Sequence, residues 1–212
     1  MERVIVAEES YRPKPPVLDV SGLPNVVFGK RNTVWLGTIL FMLIEGSMVA
    51  MLIAAYFYYR TRSSDWPPGV MAPELRWGVI NTIGFAASGV PAWIIKKRAK
   101  AADQAGCRLW LIILAVFAIA NTVIRGFEFA GINCRWDANA YASTVWLLLG
   151  VHTTHLLTNM VETIVLAALA FTDRVDGLRF TDFDENSDYW FFVIGVAIAI
   201  NIVVYGATRW LG

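Results

Sequence analysis

The feature that most constrains this chain is a recurrence of long apolar blocks, near residues 34–58, 77–95, 109–127, 143–171 and 189–209. A hydrocarbon core about 30 Å thick takes roughly 20 helical residues to cross. A barrel strand needs only about 9–11, so a transmembrane sheet does not fit blocks of this length. The sequence therefore predicts an all-α fold: a polytopic membrane helical bundle with five transmembrane helices. Residues 1–33 read as a polar tail, partly extended by Pro13, Pro15 and Pro16, and residues 34–212 as the membrane domain. The chain is 57% apolar and 17% charged, against about 45–50% and 25% for soluble domains. Its net charge of +1 gives no case for a nucleic-acid surface.

The connections supply a direction. Lys96, Lys97, Arg98, Lys100 and Arg108 crowd the second connection, and Lys30 and Arg31 precede the first block. The positive-inside rule then puts the N-terminus in the cytoplasm and the C-terminus outside. The acidic stretch DRVDGLRFTDFDENSD before the last block reads as a solvated cytoplasmic linker. Early acidic residues in MERVIVAEES and the lack of an apolar core argue against a secretory signal. Trp35, Tyr56, Trp77, Trp110, Trp136, Trp146 and Trp210 fall near block ends, as an interfacial aromatic belt requires. The small residues Gly84, Ser88, Gly89 and Pro91 in the second block fit close helix packing better than lipid contact.

Polar residues inside the blocks are the candidate functional groups. In GVHTTHLLTNMVE, the residues His152, His155, Asn159 and Glu162 fall on one stripe of a helix at about 100° per residue. Such a stripe must face protein, headgroups or water. Glu45 lies about 15 Å beyond Trp35 along the first helix, near mid-bilayer, with no cation close to it in its own block. It must be neutral or satisfied by another helix. The histidine stripe and a backbone carbonyl are the two candidate partners. Asn81 stands in the second block. Asn121, Arg125 and Glu128 lie in or just beyond the third, where Arg125 can snorkel outward or pair with Glu128.

These residues do not assemble into a recognisable reaction centre, so no catalytic, cofactor-binding or metal-ligating residues are expected. The chain has two histidines, three apart on one helix, and they cannot flank one haem. HxxH with Glu162 seven residues after His155 is not the HExxH zinc pattern. No serine sits in a GxSxG context. Cys107 and Cys134, at opposite ends of the third helix, are about 40 Å apart and cannot pair.

Several stretches, taken together, resemble subunit III of cytochrome c oxidase in its five-helix bacterial form. WLGTILFMLIEGSMVAMLIAAYFYYR matches the family's first helix through Trp35, Gly37, Phe41 and Glu45. INTIGFAASG resembles its next helix through Asn81, Thr82, Ser88 and Gly89, and Glu128–Phe129 its acidic–aromatic helix end. GVHTTH resembles the GxHxxH signature through Gly150, His152 and His155, and Tyr189–Trp190 opens the last helix. Departures are Arg125 for the usual Gln, Asn159 for Gly, Phe191 for His and Ile194 for Asp.

The resemblance implies a multi-pass protein of the bacterial inner (plasma) membrane, a non-catalytic subunit of a haem–copper terminal oxidase. Haem and copper would reside in partner subunits, principally catalytic subunit I, with bound phospholipid against this chain. Its role would be assembly, lipid retention and sustained proton uptake by the catalytic subunit. Glu45 and His155 would then be lipid-facing or helix-joining residues. Two alternatives stay open: a subunit III-like component of a quinol oxidase or nitric oxide reductase, and a small transporter or channel whose polar stripe lines a path.

Overall fold

The computed structural model of the chain describes residues 26–28, 31–172, 175 and 179–210, with side chains from residue 33 onward. The expected tail over residues 1–25, most of the linker between 173 and 178, and the last two residues lie outside these. Just before the first helix, β1 (Val26–Phe28) pairs antiparallel with β2 (Arg31–Asn32). Five long helices follow: α1 (Thr33–Thr61), α2 (Leu75–Lys100), α3 (Gln104–Ala130), α4 (Ala140–Leu169) and α5 (Arg179–Asn201). The last runs on through a π-helical segment, Ile202–Ala207, and a final turn, Thr208–Trp210.

α2, α3, α4 and α5 form a ring in which each helix packs on the next and α5 closes onto α2; α1 lies outside it, against α4 and α5. The outward faces carry large exposed apolar side chains: Leu43 is 63% exposed, Ile44 68%, Met51 73% and Ile83 63%. So much apolar surface, spread over every helix, is the exterior of a membrane-type bundle. α1, α2, α3 and α5 with its extension are long and apolar enough to cross a membrane; α4 is not counted with them on composition. At 30 residues its length suffices. Its apolar content is diluted by the polar stripe, which is turned largely into the ring.

Side chains and backbone at the helix ends fix the connections. The Asp103 carboxylate caps α3 by accepting from Gly106 N–H at 2.9 Å and pairs with Arg98 at 2.7 Å. That backbone donor, with the guanidinium beside it, holds the carboxyl below its usual range. Gln104 donates to the Ala170 and Thr172 carbonyls, and Arg108 also donates to Ala170 O, so α3 side chains satisfy the orphan carbonyls ending α4. At the opposite end, Trp66 N–H donates to the Tyr56 hydroxyl at 2.9 Å. Thr208 spends its proton on Val204 O, so Tyr56 in turn donates to Thr208 Oγ1 at 2.7 Å. Trp66 and Tyr141 meet edge to face at 4.9 Å. Tyr56 is therefore fully buried, an interior anchor instead of a headgroup-level ring.

The acidic linker is a second correction. Helix α5 starts at Arg179, so FTDFDENSD belongs to its first turns, with Phe183, Glu185, Asn186 and Ser187 buried. Lys96 on α2 explains how acids are tolerated there: it pairs with Asp184 at 3.1 Å and with Asp188.

Asn139 caps α4 by accepting from Ala142 N–H, and its amide N–H donates to Pro68 O, both at 2.8 Å. Asn139→Ala removes both bonds and is expected to cost about 1 kcal/mol, read as a lower thermal unfolding midpoint in detergent. An unchanged midpoint would show that the cap carries no weight.

Candidate functional site

Among the described residues, the buried candidates gather mainly in two polar clusters. The first joins three ring helices to the fourth. Glu128, in the last turn of α3, has both oxygens engaged. Its Oε1 accepts from the Tyr205 hydroxyl at 2.7 Å. Its Oε2 accepts from the Asn81 amide at 2.7 Å and pairs with Arg125 at 2.8 Å. Arg125 is 1% exposed, so it turns into the protein and does not snorkel. The reason is local: Glu128, one turn on, and His152, across on α4, supply its counter-charge and an acceptor. Phe85 lies beneath the guanidinium, 5.9 Å from ring centre to Cζ.

His152 links this cluster to the next helix. Arg125 Nη2 lies 3.0 Å from His152 Nδ1, and His152 Nε2 lies 3.0 Å from Val193 O. A guanidinium only donates and a carbonyl only accepts. Nδ1 therefore accepts, Nε2 carries the proton, and His152 is a neutral imidazole with no lone pair left over. It cannot ligate a metal in this arrangement.

The second cluster fastens α1 to the ring. Glu45 Oε1 is 3.4 Å from His155 Nε2, and the Tyr189 hydroxyl donates to Glu45 Oε2 at 2.6 Å. Of the two candidate partners for Glu45, the histidine stripe supplies a contact at ion-pair distance, and the hydrogen bond comes from a tyrosine on α5 that was not among the candidates. Phe41 stacks on Tyr189 at 5.8 Å, closing the site from the α1 side.

The predicted stripe on α4 is divided. His152, His155 and Asn159 are buried; Glu162 is exposed and opens onto a groove of about 320 Å³ shared with Asp182, Glu185, Tyr189 and Phe41. Asn159 has no hydrogen-bond partner for either amide atom and joins neither cluster. Where α2 meets α3, a Cβ on Gly84 would overlap the Asn121 amide oxygen, and where α2 meets the π-helical segment, one on Gly78 would overlap the Tyr205 ring. Small residues in α2 thus allow the approach on which the Asn81–Glu128–Tyr205 contacts depend.

Sequence reading missed the tyrosines as site residues. Tyr189 on α5 and Tyr205 in the π-helical segment beyond it each donate to a buried carboxylate. The signal available was a phenol inside an otherwise apolar block, where an unsatisfied hydroxyl is costly. Among the described residues, no group of three or more His, Cys, Asp or Glu is placed to hold a metal ion.

No protein-family model matches the chain. It is similar to the probable cytochrome c oxidase subunit 3 of Mycobacterium leprae, 27% identical over 178 residues that cover 82% of this chain and 88% of the relative. It is 25% identical over 180 residues to cytochrome c oxidase subunit 3 of Corynebacterium diphtheriae, with the same shares covered. The corresponding protein of Rhizopus stolonifer is 28% identical over 190 residues, 84% of this chain and 66% of that one. The chain is a distant homologue of these proteins.

Removing one member of the first cluster has unequal consequences. Glu128→Leu strands a buried guanidinium, and loss of a buried charge partner costs about 3–5 kcal/mol. Arg125→Gln leaves Glu128 with the Asn81 and Tyr205 donors and is expected to cost clearly less. Unfolding of both variants in detergent checks this; equal losses, or a larger loss for Arg125→Gln, would contradict the assigned roles.

Proposed function

We propose that this chain is a non-catalytic subunit of a haem–copper terminal oxidase, of the subunit III type, in a bacterial plasma membrane. It crosses the bilayer five times, with residues 1–33 and the N-terminus in the cytoplasm and the C-terminus outside. The distant subunit 3 relatives support the assignment. The observation that carries it is the use to which the embedded polar groups are put: they bind one another across helices. Glu45, His155 and Tyr189 join α1, α4 and α5, and Asn81, Arg125, Glu128, His152 and Tyr205 join α2, α3, α4 and α5.

The fifth crossing is supported by α4 itself. Thirty helical residues reach about 45 Å, and Leu147, Leu157, Val161, Ile164 and Val165 supply an exposed apolar face. The residues present do not suit a haem or a copper ion, because both nitrogens of His152 are already bonded and His155 is paired with Glu45. Oxygen chemistry belongs to a partner, the catalytic subunit I. This chain would cover part of that subunit, retain phospholipid and sustain its proton uptake through repeated turnover.

Purification from native membranes in mild detergent tests the reading. The expected result is a complex holding this chain together with a haem-bearing subunit, visible in its absorption spectrum and by mass spectrometry. Recovery of the chain with no redox-active partner would overturn the assignment. In the complex, Glu45→Ala is expected to leave the haem spectrum unchanged while shortening the time for which turnover is sustained. Unaltered turnover lifetime and subunit stoichiometry would count against it.

A further inference from the structure

At the end of the bundle where α1 starts and α4 gives way to α5, a groove of about 320 Å³ opens between the three helices. Val34 and Phe41 line it from α1, Glu162 and Leu166 from α4, and Asp182 and Glu185 from α5. Phe41, 46% exposed, stacks on Tyr189 and gives the groove an aromatic wall. Every charged side chain among the described residues that line it is a carboxylate. Arg179 is paired with Asp182 at 3.2 Å. Glu162 is exposed and, among the described residues, has no cation beside it. From Glu162 to the end of α4 at Leu169 is about 10 Å along the helix. At that depth in a membrane a carboxylate calls for a partner.

The chain itself carries a segment of matching chemistry, and the hairpin before α1 starts that segment toward the groove. β1 pairs antiparallel with β2, Val26 opposite Asn32. The residues preceding Val26 therefore leave from beside the first turn of α1, where Val34 borders the groove. Upstream lies YRPKPPVL, residues 11–18, whose two charges, Arg12 and Lys14, are both positive. We propose that this segment docks in the groove. Arg12 and Lys14 meet Glu162, Asp182 and Glu185, while Pro15, Pro16 and Val17 lie on Phe41 and Leu166. Proline-rich segments suit aromatic-lined grooves because their extended backbone loses little freedom on docking. Reach is sufficient. The chain from Lys14 to Val26 has a flexible span of about 20 Å, and Val34 to Phe41 is about 10 Å along α1. So short a tether gives a local concentration on the order of millimolar, so weak contacts suffice. The docked segment ties α1 to α4 and α5 a second time and covers the Phe41–Tyr189 stack that closes the Glu45 site. The proposal stands independently of the oxidase assignment.

Carboxyl footprinting of the full chain in membranes tests this, with a water-soluble carbodiimide and glycine ethyl ester as the probe and mass spectrometry as the readout. Replacing both cations, Arg12→Ser with Lys14→Ser, is expected to raise labelling of Glu162 by about fivefold, the factor that a strong surface ion pair is worth. Asp137, in the connection at the opposite end of the bundle, is the reference and should not change. Both substitutions lie outside the five helices, so the comparison does not depend on a variant helix folding. With the carbodiimide alone, Lys14 should be joined to Glu162, Asp182 or Glu185 of the same chain, and Glu162→Gln should lower the yield. Unchanged Glu162 labelling in the double variant, or Lys14 joined only to Glu8, Glu9 or Asp19, would overturn the proposal. Cross-links found only between isotopically light and heavy chains would give the groove to a neighbouring copy and overturn it too. So would labelling that rises on delipidation alike in parent and variant, which would assign the groove to a lipid headgroup.

Discussion

A polar side chain enclosed between apolar helices has no water to turn to, so its partner must come from another part of the same protein. That constraint organises this bundle. Arg125 and Glu128 are each 1% exposed and pair with one another. Their remaining bonding capacity reaches Asn81 on α2, His152 on α4 and Tyr205 at the end of α5. One ion pair thereby fixes the mutual rotation of four helices. Apolar packing alone specifies rotation poorly where lipid tails are as good a solvent as leucine.

α1 obeys the same rule at the periphery. Much of its surface faces outward, with Leu40, Leu43, Ile44, Met48 and Met51 exposed. Two polar groups give it a defined azimuth on the ring: Glu45, through His155 and Tyr189, and Tyr56, through Thr208. The two ends of the bundle are fastened differently. One uses the Trp66–Tyr56–Thr208 hydrogen bonds, and the other the Lys96 pairs with Asp184 and Asp188. Polar joints thus stand at both ends and within the bundle, with apolar packing between them.

Much of this was legible in the sequence. Helix number, approximate bounds and the embedded polar residues follow from block length and from polar interruptions at helical spacing. The Arg125–Glu128 pair follows from a three-residue offset. The inward turn of Arg125 did not follow, because it depends on His152, 27 residues away, presenting an acceptor. The helical start of α5 was hidden by its acids, whose neutralising cation stands on α2. The tyrosine hydroxyls were hidden because a phenol in an apolar block reads as another aromatic until its partner is known. Each of these depends on a contact between distant helices, which local periodicity does not encode.

The functional consequence is a protein whose embedded charges hold it together. Its distant homology to subunit 3 proteins and the way its embedded polar groups bind one another both support the accessory role proposed above. The most direct measurement of this is a double-mutant cycle on Glu45 and His155, using Glu45→Leu, His155→Leu and the pair, with unfolding free energies measured in detergent. Joined groups are predicted to show non-additivity of about 0.5–3 kcal/mol. Additive losses would mean that α1 is not held by this contact, and would contradict the account.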